Sequence, residues 1–336
     1  MFGSRALIFL CALTALAPSA QGWPLAWPRR SEHHVRGYGS GYPKPGGPGH
    51  PGKPSPPPTN PGDGPAPEDT SWKARNFKTI SSIYNLTVFP NQLPIIMRGG
   101  SGVPPGLFNQ NVTGRVDPVG DFVGFEDSIE YFFALSPLPL GNPAMAAITH
   151  IQITEFSTGC KDVASSVVYL YCSVVNPGAP NHGQPLAPLK QVAFWKFDEA
   201  GAVLKYDAWI PNLNSWVQAT TAALVTNPFY QAASIAQVCS ESQLRCTGPN
   251  KQWESVNECV QSLSAKTYGN YDAAWGDNVV CRSIHLVLTQ VRPDIHCPHV
   301  GPTGGGKCID VQYPTDYFSD ESLYGEPAGQ TFMCPS

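Results

Sequence analysis

Between Cys239 and Cys308 the chain carries six cysteines in 70 residues, and the redox state of those thiols decides what the carboxy-terminal third can fold into. The amino terminus bears directly on that state. Arg5 precedes an apolar run from Ala6 to Ala17, and small residues with an Ala20-Gln21-Gly22 cleavage site follow. This is the pattern of a secretory signal peptide over residues 1–22, too short to span a bilayer. A secreted, extracellular protein is expected, and its cysteines are expected to be oxidised. Cys239, Cys246, Cys259, Cys281, Cys297 and Cys308 then read as a three-disulfide framework. Two sequons, Asn85-Leu86-Thr87 and Asn111-Val112-Thr113, mark glycosylation positions that fit export. Arg29-Arg30 is a candidate second processing site.

Composition divides what remains. From Gly37 to Pro67, 11 of 31 residues are proline and nine are glycine, so residues 23–70 read as an extended tail or linker with nothing to bury. His33, His34 and His50 fall within it and read as solvated. From Ser71 onward the chain is aromatic and apolar, long enough for a sizeable core. We divide that part into a first domain over residues 71–218 and a cysteine-rich, mainly helical region over 219–336. A net charge of −4 without a basic stripe argues against nucleic acid, and no cationic amphipathic helix points to a membrane surface.

Hydrophobic spacing orders the first domain. Phe77, Ile80, Ile83 and Tyr84 recur at helical spacing between Trp72 and Phe89, with Pro90 closing the helix. Gly124-Phe125-Glu126-Asp127 opens a second helix whose buried face is Ile129, Phe132 and Phe133, its acidic first turn complementing the helix dipole. Ile148 to Phe156 alternates as a strand, and Val167 to Val175 is apolar on both faces, as a central strand would be. Gln191 to Phe197 and Ala202 to Ile210 flank the turn Asp198-Glu199-Ala200-Gly201 as a hairpin. Helices followed by antiparallel strands define an α+β layer.

The helix GFEDSIEYFF, the hairpin FWKFDEAGAVLKYDAWI and the order of elements resemble the SnoaL-like branch of the NTF2-like superfamily over Ser71 to Gln218. The whole mature chain also resembles secreted fungal proteins that join such a domain to a cysteine-rich tail. The resemblance implies an NTF2-like cone, a curved antiparallel sheet closing on a pocket under its helices. The superfamily includes cyclases, isomerases, dehydratases and plain binding modules, so a small, largely apolar ligand is expected, with any catalysis being cofactor-independent acid–base chemistry of isomerase, cyclase or lyase type. Trp195, Tyr206 and Trp209 are the candidate lining, of which alternation lets only some face inward. The positions matching the superfamily's acid or base are Asp207 and His150. Against a catalytic role, alternation sets Asp207 on the face of Lys205, opposite Leu204, Tyr206, Ala208 and Ile210, where a solvated ion pair is the plain reading. The superfamily implies a homodimer through the outer sheet face, which the sequons and tail would obstruct.

In the tail, Val256 to Leu263 and Val279 to Leu288 read as helices, and Cys259 facing Cys281 would staple them. Cys297 with Cys308 across the glycine loop is the second expected pair. Of Cys160, Cys172 and Cys334, at least one stays free in a monomer, and Cys172, on the apolar strand, is the candidate: a packed, inert thiol. His285 lies one helical turn after Cys281, and His296 and His299 flank Cys297-Pro298 at i and i+3. Three imidazoles and a water make an open zinc site, and copper is equally compatible. The competing reading is three structural histidines beside disulfides, since Pro298 opposes a regular helix through the pair and no partner carboxylate is fixed by spacing. Gly301 to Lys307 has the glycine spacing of a phosphate loop, but Cys308 stands where Ser or Thr would bind magnesium. Three functions therefore compete: a small-molecule protein of the cone, a metal-dependent extracellular enzyme, and a non-enzymatic extracellular interaction protein.

Overall fold

A computed structural model describes residues 71–137, 146–221, 225–312 and 320–334. The expected signal peptide, Arg29-Arg30, the Pro/Gly-rich segment and its histidines lie outside these residues. Helix α1 (Ser71–Leu86) buries Asn76, Thr79, Ile80, Ile83 and Tyr84 and precedes the short α2 (Leu93–Arg98). Phe77, expected on the buried face, is 45% exposed and meets Phe156 edge-on, because the inward stripe runs through Asn76 and Thr79 instead. Both of those polar side chains are satisfied by backbone carbonyls, Lys161 for Asn76 and Gly201 for Thr79.

Six strands follow in one sheet: β1 (Phe108–Asp117), β2 (Gly120–Val123), β3 (Ala146–Cys160), β4 (Val163–Val174), β5 (Leu189–Phe197) and β6 (Val203–Trp209). Their spatial order is β2-β1-β6-β5-β4-β3. The sheet is mixed rather than antiparallel throughout, since β1 pairs with β6 in parallel, Gly114 facing Tyr206. A Cβ on Gly114 would lie 2.3 Å from the Tyr206 ring, so that crossing requires glycine. Register shifts at three places along β3 bend the longest hairpin and curve the sheet. The architecture is that of an NTF2-like cone. Helix α3 (Phe125–Ile129) enters it and widens into a π-helical turn over Glu130–Ala134, closed by Leu135 N–H donating to the Glu130 carbonyl at 3.1 Å. Such a turn adds one residue to the helix and rotates its faces. Tyr131, Phe132 and Phe133 all end up buried, and Glu130 with them.

The tail is built around helices α4 (Leu213–Thr221), α5 (Pro228–Arg245), α6 (Val256–Ser264), α7 (Val279–Leu288), α8 (Pro293–Val300) and α9 (Asp320–Tyr324), with a glycine turn at Gly304–Gly306. Asn227, Ser255 and Asn278 cap α5, α6 and α7 by accepting from the first-turn amides. Four disulfides join the described residues, and the pairing differs from the expected one. Cys239 joins Cys259, Cys246 joins Cys297, Cys281 joins Cys308, and Cys160 joins Cys334. The helices α6 and α7 do not face each other through Cys259 and Cys281, because α5 packs against both and takes Cys259 for itself. Cys172 is the free thiol, buried, its pKa pushed up to about 12 by desolvation.

One apolar cluster runs from Ile80 and Trp195 in the cone to Leu263, Val280 and Val300 in the tail. On the outer sheet face Glu326 pairs with Lys196 and Lys205, Phe332 packs on Phe194, and the Tyr324 hydroxyl donates to the Tyr206 carbonyl. The tail thus covers part of the surface through which a dimer was expected. Among the described residues no helix is long and apolar enough to cross a membrane.

Candidate functional site

The cone interior is packed around its aromatic side chains. Trp195 and Tyr206 are fully buried, with Phe132 packed on both at ring-centre distances of 6.1 and 5.3 Å. Their polar atoms are spent internally: the Trp195 indole donates to Ser166 Oγ at 2.9 Å and the Tyr206 hydroxyl to Ser128 Oγ at 3.1 Å. Tyr84 donates to Gln191, which donates to Tyr131 at 2.6 Å. Burial raises the pKa of all three tyrosines, which keeps them neutral. Trp209 stands on the opposite face, edge-on to Phe194. The three aromatic residues expected to line one ligand therefore do not share a surface.

Asp207 is buried and gives both carboxylate oxygens to Arg115, at 3.2 Å from Nε and 2.7 Å from Nη2. Asp320 of α9 meets the same guanidinium at 3.0 Å. Its partner is thus Arg115 and not Lys205, and the pair is buried rather than solvated. Desolvation pushes the Asp207 pKa up and Arg115 opposes it, with the net shift upward. His150 is exposed on β3, stacked on Tyr171 at 5.6 Å. Neither residue borders the recess described next.

That recess, about 400 Å³, opens between the β1–β2 turn, α3 and the α7–α8 pair. Phe122, Leu135, Trp275, Ile284, Leu288 and Ile295 supply much of its apolar wall, and His285, His296 and His299 stand together in it beside Asp127 and Glu130. The three histidines come together because α7 and α8 pack as a hairpin. Cys246–Cys297 fixes α8 between His296 and His299, and Cys281–Cys308 fixes α7 one turn before His285. The fully buried Arg282 ties α7 to the end of α8 by donating to the Gly301 and Pro302 carbonyls. Pro298, expected to break the alignment, sits inside α8. It removes one amide donor from a short helix already held by the adjacent disulfide, and His296 and His299 remain on one face.

His285 Nδ1 lies 3.2 Å from His296 Nδ1 and 3.2 Å from His299 Nδ1. His296 Nε2 is 2.9 Å from Glu130 Oε2. Arg292 closes the far side, donating from Nε to Glu130 Oε1 at 2.7 Å and from Nη2 to Glu130 and Asp127. Desolvation would raise the Glu130 carboxyl, but its bonds from Arg292 and His296 hold it below the ordinary range. Burial and the neighbouring imidazoles push His285 well down and bring His299 to about 4, so both rings are neutral near pH 7. Neutral imidazoles with converging lone pairs are metal ligands by type, and these three nitrogens all lie within 4.8 Å of one another. Cys281 and Cys308, close to His285, are joined to each other and offer no thiolate. Glu130 and Arg292 were absent from the residues singled out in the sequence. The signal was a lone carboxylate inside the apolar run Ile129-Glu130-Tyr131-Phe132, which only a partner elsewhere in the fold makes affordable.

The fold and recess define a protein with an NTF2-like cone fold and a second, disulfide-held helical layer that carries the three histidines. Residues 198–311, from the hairpin turn to the end of the glycine loop, match the BfoA family C-terminal domain. Aurasperone B biosynthesis cluster protein A of Aspergillus niger is 30% identical over 237 residues, 66% of this chain and 76% of that protein. Bifonsecin B biosynthesis cluster protein A of Aspergillus brasiliensis is 29% identical over 237 residues, 66% of this chain and 78% of that protein. The chain belongs to this BfoA family. Among solved structures it is similar to a SnoaL-like polyketide cyclase from Jannaschia sp. CCS1, with 12% identity, a TM-score of 0.30, and coverage of 48% of this chain and 99% of that one. It is also similar to a steroid delta-isomerase from Pseudomonas aeruginosa, with 13% identity, a TM-score of 0.27, and coverage of 44% and 88%.

Proposed function

We propose that the protein binds and transforms a small, largely apolar molecule by isomerase- or cyclase-type chemistry, and that it does so in the histidine recess rather than inside the cone. One observation carries the reading: a cavity of about 400 Å³ joins an apolar wall to three imidazoles and the carboxylates of Asp127 and Glu130. Inside the cone the polar atoms of Trp195, Tyr206, Tyr84 and Gln191 are spent on one another and on Ser166, Ser128 and Tyr131. The relatives named for the aurasperone B and bifonsecin B biosynthesis clusters support work on a biosynthetic small molecule. Four disulfides, together with the apolar leader, support a secreted location and an oxidising compartment. The exposed side chains of Asn85 and Asn111 support their use as glycosylation sites.

The test uses 2-naphthol as an apolar aromatic probe with one hydroxyl, followed by quenching of tryptophan fluorescence, since Trp275 borders the recess. Ile295 also borders it and is already 40% exposed, so Ile295→Asp places a charge in the wall at little cost to the fold. The variant is expected to bind at least about tenfold more weakly, the loss of about 1.4 kcal/mol that a desolvated apolar contact supplies. Equal affinity in the two proteins overturns the placement of the ligand.

A further inference from the structure

We propose that His285, His296 and His299 form a mononuclear site for a divalent transition-metal ion of the zinc–copper kind, with its open position facing the recess. The inference deepens the small-molecule reading, and its test is independent of it. Hydrogen bonding among the three rings cannot account for their arrangement. A carboxylate only accepts, so in the neutral ring the 2.9 Å contact with Glu130 puts the His296 proton on Nε2 and leaves a bare lone pair on its Nδ1. His285 Nδ1 must then donate if its 3.2 Å approach to His296 is to be a hydrogen bond. The same nitrogen is 3.2 Å from His299 Nδ1, and it has only one proton for two neighbours. With His299 in either tautomer, at least one approach is lone pair against lone pair, a shared proton, or proton against proton. A cation between them accepts all three lone pairs at once.

The dimensions agree with that assignment. Imidazole nitrogens about 2.0–2.1 Å from a tetrahedral zinc ion lie about 3.3 Å from each other. Two Nδ1 pairs here are separated by 3.2 Å, and one ligand nitrogen from each ring lies within 4.8 Å of the other two. Support from outside the trio also fits. A histidine ligand whose second nitrogen donates to a carboxylate is held in one orientation and made more basic, and Glu130, itself anchored by Arg292, plays that part for His296. The two disulfides fix the backbone on either side, so little ordering remains to be done on binding. Three protein ligands leave one position for water or for an oxygen of the recess ligand, which a Lewis acid would polarise there.

The experiment takes the full chain, strips it with chelator, desalts it, and titrates Zn(II) by calorimetry with elemental analysis of the washed product. One tight equivalent is expected in the native protein and none in His285→Gln/His296→Gln/His299→Gln, which keeps His33, His34 and His50 and so subtracts any metal held by the tail. The same equivalent of zinc retained by the triple variant, or no zinc retained by the native chain, overturns the site. If the triple variant fails to fold, Glu130→Gln and Co(II) decide. Glu130→Gln is expected to weaken the metal about 10–100-fold by loosening His296. Co(II) in the native protein is expected to give the intense visible absorption of a four-coordinate ion. Unchanged affinity in Glu130→Gln, or the weak spectrum of six-coordinate cobalt, overturns the proposal. 2-Naphthol binding is measured separately on metal-free protein. Zinc uptake without naphthol binding overturns the small-molecule reading and leaves the metal site standing, and naphthol binding without zinc uptake does the reverse.

Discussion

The cone interior and the histidine recess are both lined mainly by aromatic and aliphatic side chains, yet they treat their polar atoms in opposite ways. Within the cone, Tyr84 donates to Gln191 and Gln191 to Tyr131, and Trp195 and Tyr206 each end on a serine. In the recess, three imidazole nitrogens face one another with too few protons to satisfy every contact. A hydrogen-bonded network in a packed interior adds stability and specifies one arrangement. A set of converging lone pairs costs stability and persists only where the surrounding structure holds it, here two disulfides and the Glu130–Arg292 pair. Aromatic density therefore marks the core of this molecule, and the converging imidazoles mark its proposed working surface.

The sharpest way to break that contrast is to damage one region and read both. Phe132→Ala removes the ring that packs on Trp195 and Tyr206 and should destabilise the protein by about 3–5 kcal/mol in guanidinium unfolding, the usual cost of a large aromatic truncation. Zinc or naphthol affinity in the folded fraction should change little. If Phe132→Ala abolishes binding without loss of stability, the cone is the ligand site after all. Removing Cys246–Cys297 by serine substitution of both residues should cost about 2–5 kcal/mol and also weaken zinc, because α8 loses its tether between two of the three imidazoles. Removing Cys160–Cys334, which joins β3 to the tail, should cost stability alone. Equal zinc affinity in the two disulfide variants would detach the recess from its proposed scaffold.

What the sequence made legible follows the same division. Local periodicity found the helix at Gly124 to Phe133 and the hairpin on either side of Asp198 to Gly201, because each is stabilised by neighbours a few residues away. Cys172 was legible as the free thiol since its apolar strand offers no partner. The disulfide pairing was not, because it depends on α5 lying against both α6 and α7, a packing choice made by surfaces far apart in the chain. Glu130 and His296 are 166 residues apart, so no spacing rule connects them. Pro298 was read as a helix breaker from propensity, and tertiary restraint at Cys297 outweighed that preference. The Arg115–Asp207 pair shows how a candidate can be placed on the right face and assigned the wrong surroundings. Alternation put Asp207 outside the cone, but the α9 segment that buries it comes more than a hundred residues later.

That pair supplies the next, smaller prediction. Asp207→Asn should destabilise by about 1–3 kcal/mol, since Arg115 keeps hydrogen bonds but loses half of its buried charge compensation. Zinc and naphthol binding should be those of the native chain. A large loss of turnover or binding at unchanged stability would restore Asp207 as a site residue and with it the cone as the seat of function.

The smallest effect is expected at Asp277, which holds the buried Arg282 guanidinium from the solvent side of the α7–α8 scaffold. Partial burial alone would raise its carboxyl pKa, but hydrogen bonds from Lys266 and Arg282 bring it below the ordinary value. A carboxyl depressed in the folded state contributes stability that is present above its unfolded pKa and is lost as pH falls through the folded pKa. Asp277→Asn should therefore melt slightly below the native protein at pH 7, by about 1 kcal/mol or less for an ion pair this open to solvent. The gap should close in acid, once the native carboxyl is itself protonated. Melting curves of both proteins across that range check it. A difference that stays constant with pH would mean that Asp277 acts by shape and not by charge, and that Arg282 is held by its three carbonyl acceptors at Asn278, Gly301 and Pro302 without help.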